Sequence, residues 1–179
     1  MAFLDELTAD FIPRQSGTEQ EMAAAQFLAS EFKSLGYETS LQPFTVEVKQ
    51  SGVELESPGL DVPSEFRTLP ITNSIEASKT GVLVSAGKAF FDDVPADSLT
   101  GKVALIERGT ITFLDKVNRV ADAGAVGAII FNNSAGIFRG TFANQPKIPA
   151  VSISREDGLA IRELLNQGEI SATVTVETV

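Results

Sequence analysis

Apolar residues recur at helical spacing from Glu19 to Leu35: Ala24, Leu28, Phe32 and Leu35 form one stripe, and Glu21, Gln26, Glu31 and Lys33 lie mostly off it. Thr18 and Glu21 stand at capping-box spacing just ahead of that stripe, and Gly36 supplies a left-handed stop, so a helix is predicted over 19–35. Tyr37 to Gln50 alternates imperfectly, with Leu41, Phe44, Val46 and Val48 apolar, which predicts an edge strand broken near Pro43. Residues 51–70 hold Pro58, Pro63 and Pro70, and read as a turn-rich connection with at most a short strand at Val53–Glu56.

From Gly81 onward the pattern becomes short apolar runs divided by glycines. Gly81–Ser85, Lys102–Glu107 and Val126–Phe131 are too short for helices and partly β-branched, so buried strands are predicted. Between the last two, Phe113, Val117, Val120 and Ala121 recur at helical spacing, with Asp115, Lys116, Asn118, Arg119 and Asp122 placed outside. Gly124 ends that helix, and Gly127 is placed at the next strand start for close helix-to-strand approach. A glycine-containing loop over 132–147 leads to a strand at Pro149–Ile153, a helix over Arg155–Asn166 and a half-exposed strand from Ile170 to Glu177.

Composition narrows the chemistry. The chain has 179 residues, a formal charge of −10, and no Cys or His. These absences exclude a Ser-His-Asp triad, a Cys-His pair, a thiolate nucleophile and a zinc site of the usual N and S ligands. The acidic balance argues against nucleic acid and anionic membrane surfaces as partners, and no apolar run is long enough to cross a bilayer. Met1 to Glu6 lacks the charged and apolar regions of a secretory leader.

Candidate motifs are weak one by one. Gly81 to Gly87-Lys88-Ala89 has one residue too many for a phosphate loop and Ala where a hydroxyl is needed. Gly124 and Gly127 precede a strand rather than opening a helix, against a dinucleotide fingerprint. Asp92, Asp93 and Asp97 lack a calcium-loop ladder and read as a solvated loop, and Asn132-Asn133-Ser134 is a chance-level glycosylation triplet. The loop 132–144 reads either as a flexible connector or, with Phe138 or Phe142 facing solvent, as a surface that grips a peptide.

In combination the motifs say more. Gly101-Lys-Val-Ala-Leu-Ile-Glu-Arg-Gly109, the helix through Ala123, Gly124-Ala-Val-Gly-Ala-Ile-Ile-Phe-Asn-Asn133 and Ile148-Pro-Ala-Val-Ser-Ile-Ser154 together resemble a protease-associated (PA) domain. The opening Arg14-Gln-Ser-Gly17-Thr-Glu19, with Leu35-Gly36-Tyr37 and Gln42-Pro-Phe-Thr-Val46, is similar to the start of M28-family zinc aminopeptidases that carry such a domain as an insert. The resemblance implies an α+β fold: a small open β-barrel or sandwich of mixed strands flanked by helices, after an N-terminal helix and strand. It assigns 1–65 to the flank and linker and 66–179 to the PA domain. Ile111 stands where many relatives have Cys, so no disulfide pins that loop.

The resemblance further implies a non-catalytic module that serves substrate recruitment, access control or protein contact. No cofactor is expected in this chain, and zinc would be held by a catalytic portion beyond it. Arg108, Gly109, Asn132 and Asn133 end two neighbouring strands and, with Arg139, form the expected rim for a peptide or protein partner. The parent is expected to be exported, to the cell envelope or beyond. Two alternatives are a stand-alone hydrolase or metal enzyme built on carboxylates, and a structural self-association domain. The stripe Ala24, Leu28, Phe32, Leu35 is expected to be exposed and could pair two copies.

Overall fold

The computed structural model describes Leu7 and residues 16–179; Met1–Glu6, read as lacking a secretory leader's features, and the Arg14-Gln15 start of the opening motif lie outside the described residues. By contacts the chain divides into a unit Met1–Glu47 and a unit Val48–Val179.

In the first unit, helix α1 (Glu19–Ser34) starts where the cap was placed: the Thr18 hydroxyl accepts from Glu21 N at 3.3 Å, and the Glu21 carboxylate accepts from Gly17 N at 2.7 Å. Along the predicted stripe Ala24 is buried and Leu28 half-buried, whereas Phe32 is 48% and Leu35 72% exposed. Of the strand expected over 37–50, residues 37–47 are irregular, with Leu41 and Phe44 exposed; strand pairing begins only at Val48, which exchanges backbone hydrogen bonds with Val179 at 3.0 Å. Partial alternation alone does not make a strand when no neighbour takes up its backbone groups.

The second unit is a seven-stranded mixed sheet. Its strands are β1 (Lys49–Glu56), β2 (Leu69–Pro70), β3 (Ala77–Ser85), β4 (Val103–Glu107), β5 (Gly127–Phe131), β6 (Ala150–Ile153) and β7 (Ser171–Thr178). Helices α2 (Phe113–Asp122) and α3 (Arg155–Leu165) follow β4 and β6. The order is β1-β7-β3-β4-β5-β6-β2; β3, β4, β5 and β6 run parallel, and the remaining pairs are antiparallel. The two ends of this order meet, since the Thr68 hydroxyl donates to Ser51 O at 2.6 Å and the Ser51 hydroxyl to Thr68 Oγ1 at 3.0 Å. The result is the nearly closed barrel-like α+β fold expected from the motifs.

β1 is longer than the short strand expected inside a turn-rich stretch. Its partner is β7, in a register that sets Val53 opposite Val174 and Leu55 opposite Ala172. β3 changes partner midway, pairing with β7 through Val82 and with β4 from Leu83. Gly81 sits at that change, where a Cβ would lie 2.3 Å from Gly101 O. At Gly127, by contrast, a Cβ would meet Val174 at an ordinary 3.5 Å, so the close approach expected there does not demand glycine.

The apolar runs have a simple cause. Alternate residues of β4 and β5 enter two cores: Ala104, Ile106, Ala128 and Ile130 join Val117 and Val120 of α2, while Val103, Leu105, Ile129 and Phe131 join Ile161 of α3 and the inward residues of β7. A strand covered on both faces needs apolar residues at every position. Both helices carry matching caps, Thr112 accepting from Asp115 N at 3.1 Å and Ser154 from Asp157 N at 3.0 Å.

Candidate functional site

Because β3, β4, β5 and β6 are parallel, the loops leaving their carboxyl ends share one edge of the sheet, the edge at which open parallel sheets place ligands. Arg108 leaves β4 there. Its backbone N donates to Phe131 O at 2.9 Å, and its Nη1 donates to Asn132 Oδ1 at 3.1 Å. The guanidinium lies 4.9 Å from the Phe138 ring centre and 5.7 Å from that of Phe113, and those rings stack at 5.1 Å. Cation–π contact and a hydrogen bond to a buried amide thus fix the head group.

Asn132 is buried. Its Nδ2 donates to Gly136 O at 2.9 Å, and its Oδ1 also accepts from Asn133 N at 3.0 Å. The amide nitrogen that a glycan would need is therefore engaged. Glu156, at the start of α3, accepts from Gly136 N at 3.1 Å; its own backbone N–H, then that of Gly136, hold its carboxyl below the usual range. The predicted rim residues therefore differ in kind. Arg108 and Asn132 form a clasp, Gly109 is half-buried beside it, Asn133 is exposed, and Arg139 is exposed with no ion pair among the described residues.

Two expectations for the loop after β5 fail. Phe138 and Phe142 are buried, not solvent-facing, because they fill the core beside α2. Nor is 138–142 a free connector: Thr72 N donates to Gly140 O and Phe142 N to Thr72 O, each at 3.0 Å.

A second cluster lies under the loop after β3, and sequence reasoning missed it. Lys116, expected on the outer face of α2, is fully buried and its Nζ donates to Lys88 O. Burial first, then the nearby Lys88 charge, lower its pKa to about 8, against the opposing pull of Asp93 and Glu107. Arg119 Nη1 donates to Ala89 O at 2.5 Å, and its guanidinium lies 3.9 Å from the Phe91 ring centre. Asp92, Asp93 and Asp97 are all exposed, as a solvated loop implies, and the Asp93 carboxylate also braces the loop by accepting from Lys88 N at 3.0 Å and Phe90 N at 3.1 Å. The signal for Lys116 was its spacing: it stands three after Phe113 and four before Val120, on the stripe itself.

Chemically the clasp can hold a carbonyl or a carboxylate, since the guanidinium has more donors than Asn132 uses. Among the described residues no group of three or more Asp or Glu could hold a metal ion, so zinc does not fit these side chains. No helix among them is long and apolar enough to cross a membrane.

The fold, the strand-end clasp and the motifs that build them define a class. Residues 78–161, just under half of the chain, match the family model described as PA domain. Among individual proteins, the chain is 31% identical over 163 residues to Aminopeptidase YwaD of Bacillus subtilis, covering 89% of this chain and 35% of that protein. It is 39% identical over 93 residues to Minor extracellular protease Vpr of the same organism, covering 51% of this chain and 11% of that protein. Its structure is similar to that of BSAP, a zinc aminopeptidase from Bacillus subtilis, with a TM-score of 0.71 and 28% identity, covering 99% of this chain and 42% of that one. The chain thus spans well under half the length of these relatives.

Proposed function

We propose that this chain is a non-catalytic accessory portion of an M28-like zinc aminopeptidase, in which the PA domain recruits peptide substrate or contacts the catalytic part. The observation that carries the reading is the Arg108–Asn132 clasp at the carboxyl edge of the parallel strands: fixed, half-open and rich in donors, yet without a nucleophile or base. Arg108, Gly109, Asn132, Asn133 and Arg139 are its contact residues, with Arg108 and Asn132 holding the shape and Asn133 and Arg139 meeting the partner. Similarity over nearly the whole chain to a zinc aminopeptidase of more than twice the length supports placing zinc and bond cleavage in a further portion of the polypeptide. An exported parent is in keeping with the likeness to an extracellular protease.

Isothermal titration of the chain with unstructured peptides tests this reading. Heat that falls about tenfold in affinity on Asn133→Ala with Arg139→Ala supports it; athermal mixing together with an unchanged amide NMR spectrum sinks it. A second reading, self-association through α1, rests on the exposure of Phe32 and Leu35. Sedimentation at several concentrations separates it, because a monomer throughout removes it.

A further inference from the structure

Beyond the clasp, the loop after β3 presents two adjacent phenylalanines to solvent: Phe90 is 41% and Phe91 78% exposed. Exposed aromatic rings on a mobile loop would be ordinary, but this loop is braced from beneath. Lys116 bonds Lys88 O, Arg119 bonds Ala89 O, and Asp93 bonds the Lys88 and Phe90 amides. Ala89, a residue with a Cβ, is held at φ +56°, a conformation that persists only where the surroundings enforce it. Arg119 also packs on the Phe91 ring. The ring is thus presented in one fixed place, and a prearranged aromatic loses little entropy when a partner arrives.

Beside Phe91 runs an open groove of about 530 Å³, with Val94, Pro95 and Ala123 as apolar floor and Asp115 and Asp122 on its α2 wall. Asp92 and Asp115 have no ion-pair partner among the described residues. Asp122 shows what this wall accepts: Lys147, within Pro146-Lys147-Ile148 of the same chain, pairs with it, and the Lys147 amide donates to Asn118 Oδ1 at 3.1 Å. A lysine between two apolar residues of the same chain therefore already lies against α2 with its charge on Asp122.

We infer that the Phe91 groove is a docking site for an extended peptide segment in which a Lys or Arg stands next to an apolar side chain. The apolar side chain packs between Phe91, Val94 and Pro95, and the cation reaches Asp115. This site is separate from the Arg108–Asn132 clasp and stands or falls independently of it.

The test is an amide NMR titration of the whole chain with acetyl-Leu-Lys-Leu amide and, separately, acetyl-Leu-Glu-Leu amide. The basic peptide should shift the amides of Phe91, Asp115 and Asn118 saturably and weaken several-fold in high salt. Phe91→Ala, at a largely exposed position, and the isosteric Asp115→Asn should each weaken it about tenfold. No shift with the basic peptide, equal shifts with the acidic one, or shifts confined to Arg108, Asn132 and Asn133 would each overturn the groove assignment. The last result would leave the clasp reading intact.

Discussion

Replacing Lys116 by Met tests whether the loop after β3 is held by a truly buried ammonium. Burial lowers this group from the ordinary 10.5 to about 8, with Lys88 and Arg119 pushing the same way and Asp93 and Glu107 opposing. Below about pH 8 the lysine is charged in both folded and unfolded chains, and its desolvation weighs against folding in full. Between about pH 8 and 10.5 the unfolded chain keeps the proton that the folded chain has lost, so the lysine's contribution to stability rises with pH. The gap corresponds to about 3 kcal/mol at most, of which about 2.5 kcal/mol is realised by about pH 10. Urea midpoints of wild type and Lys116→Met, taken from about pH 7 to about pH 10, isolate this group because the other titrations cancel in the difference. Wild type should gain on the variant by about 2–3 kcal/mol, nearly all of it above pH 8. A flat difference, or one that grows as pH falls, refutes the argument.

Other substitutions probe the scaffold and the clasp. Gly158 in α3 lies so close to β5 that an alanine Cβ would stand 2.1 Å from Phe131 Cβ, so Gly158→Ala should destabilise by about 2 kcal/mol or more in urea melts despite its better helix propensity; a change under about 0.5 kcal/mol contradicts this packing. Thr112→Ala and Ser154→Ala each remove a helix cap and should cost about 1 kcal/mol, additively within error since they cap different helices. Arg108→Ala strips the Asn132 amide of one donor and uncovers Phe138, for about 1–2 kcal/mol, and Arg108→Lys should recover less than half of that because an ammonium lacks the planar fork. Full recovery by lysine would show that charge alone matters.

How far the sequence could be read depended on how local each signal was. β4, β5, β6 and α2 were legible because double burial writes unbroken apolar runs and each helix start carries its own cap. β1 was legible only in part: the short strand expected at Val53–Glu56 lies within it, whereas its polar start acquires strand character by pairing with β7, more than a hundred residues later. The imperfect alternation at 37–47 misled for the converse reason: among the described residues no strand pairs with it. At the site, Arg108 and Asn132 were placed together correctly from the ends of neighbouring strands. The burial of Phe138 and Phe142 was hidden by a loop-like sequence, and that of Lys116 by its charge, although its position on the α2 stripe gave it away.

The central claim, that these residues hold a partner and leave cleavage to another portion of the polypeptide, is tested most directly by incubating the purified chain with leucyl-p-nitroanilide and equimolar zinc. The account predicts release no faster than the protein-free blank. Zinc-dependent turnover that disappears on substitution of a single carboxylate would contradict it.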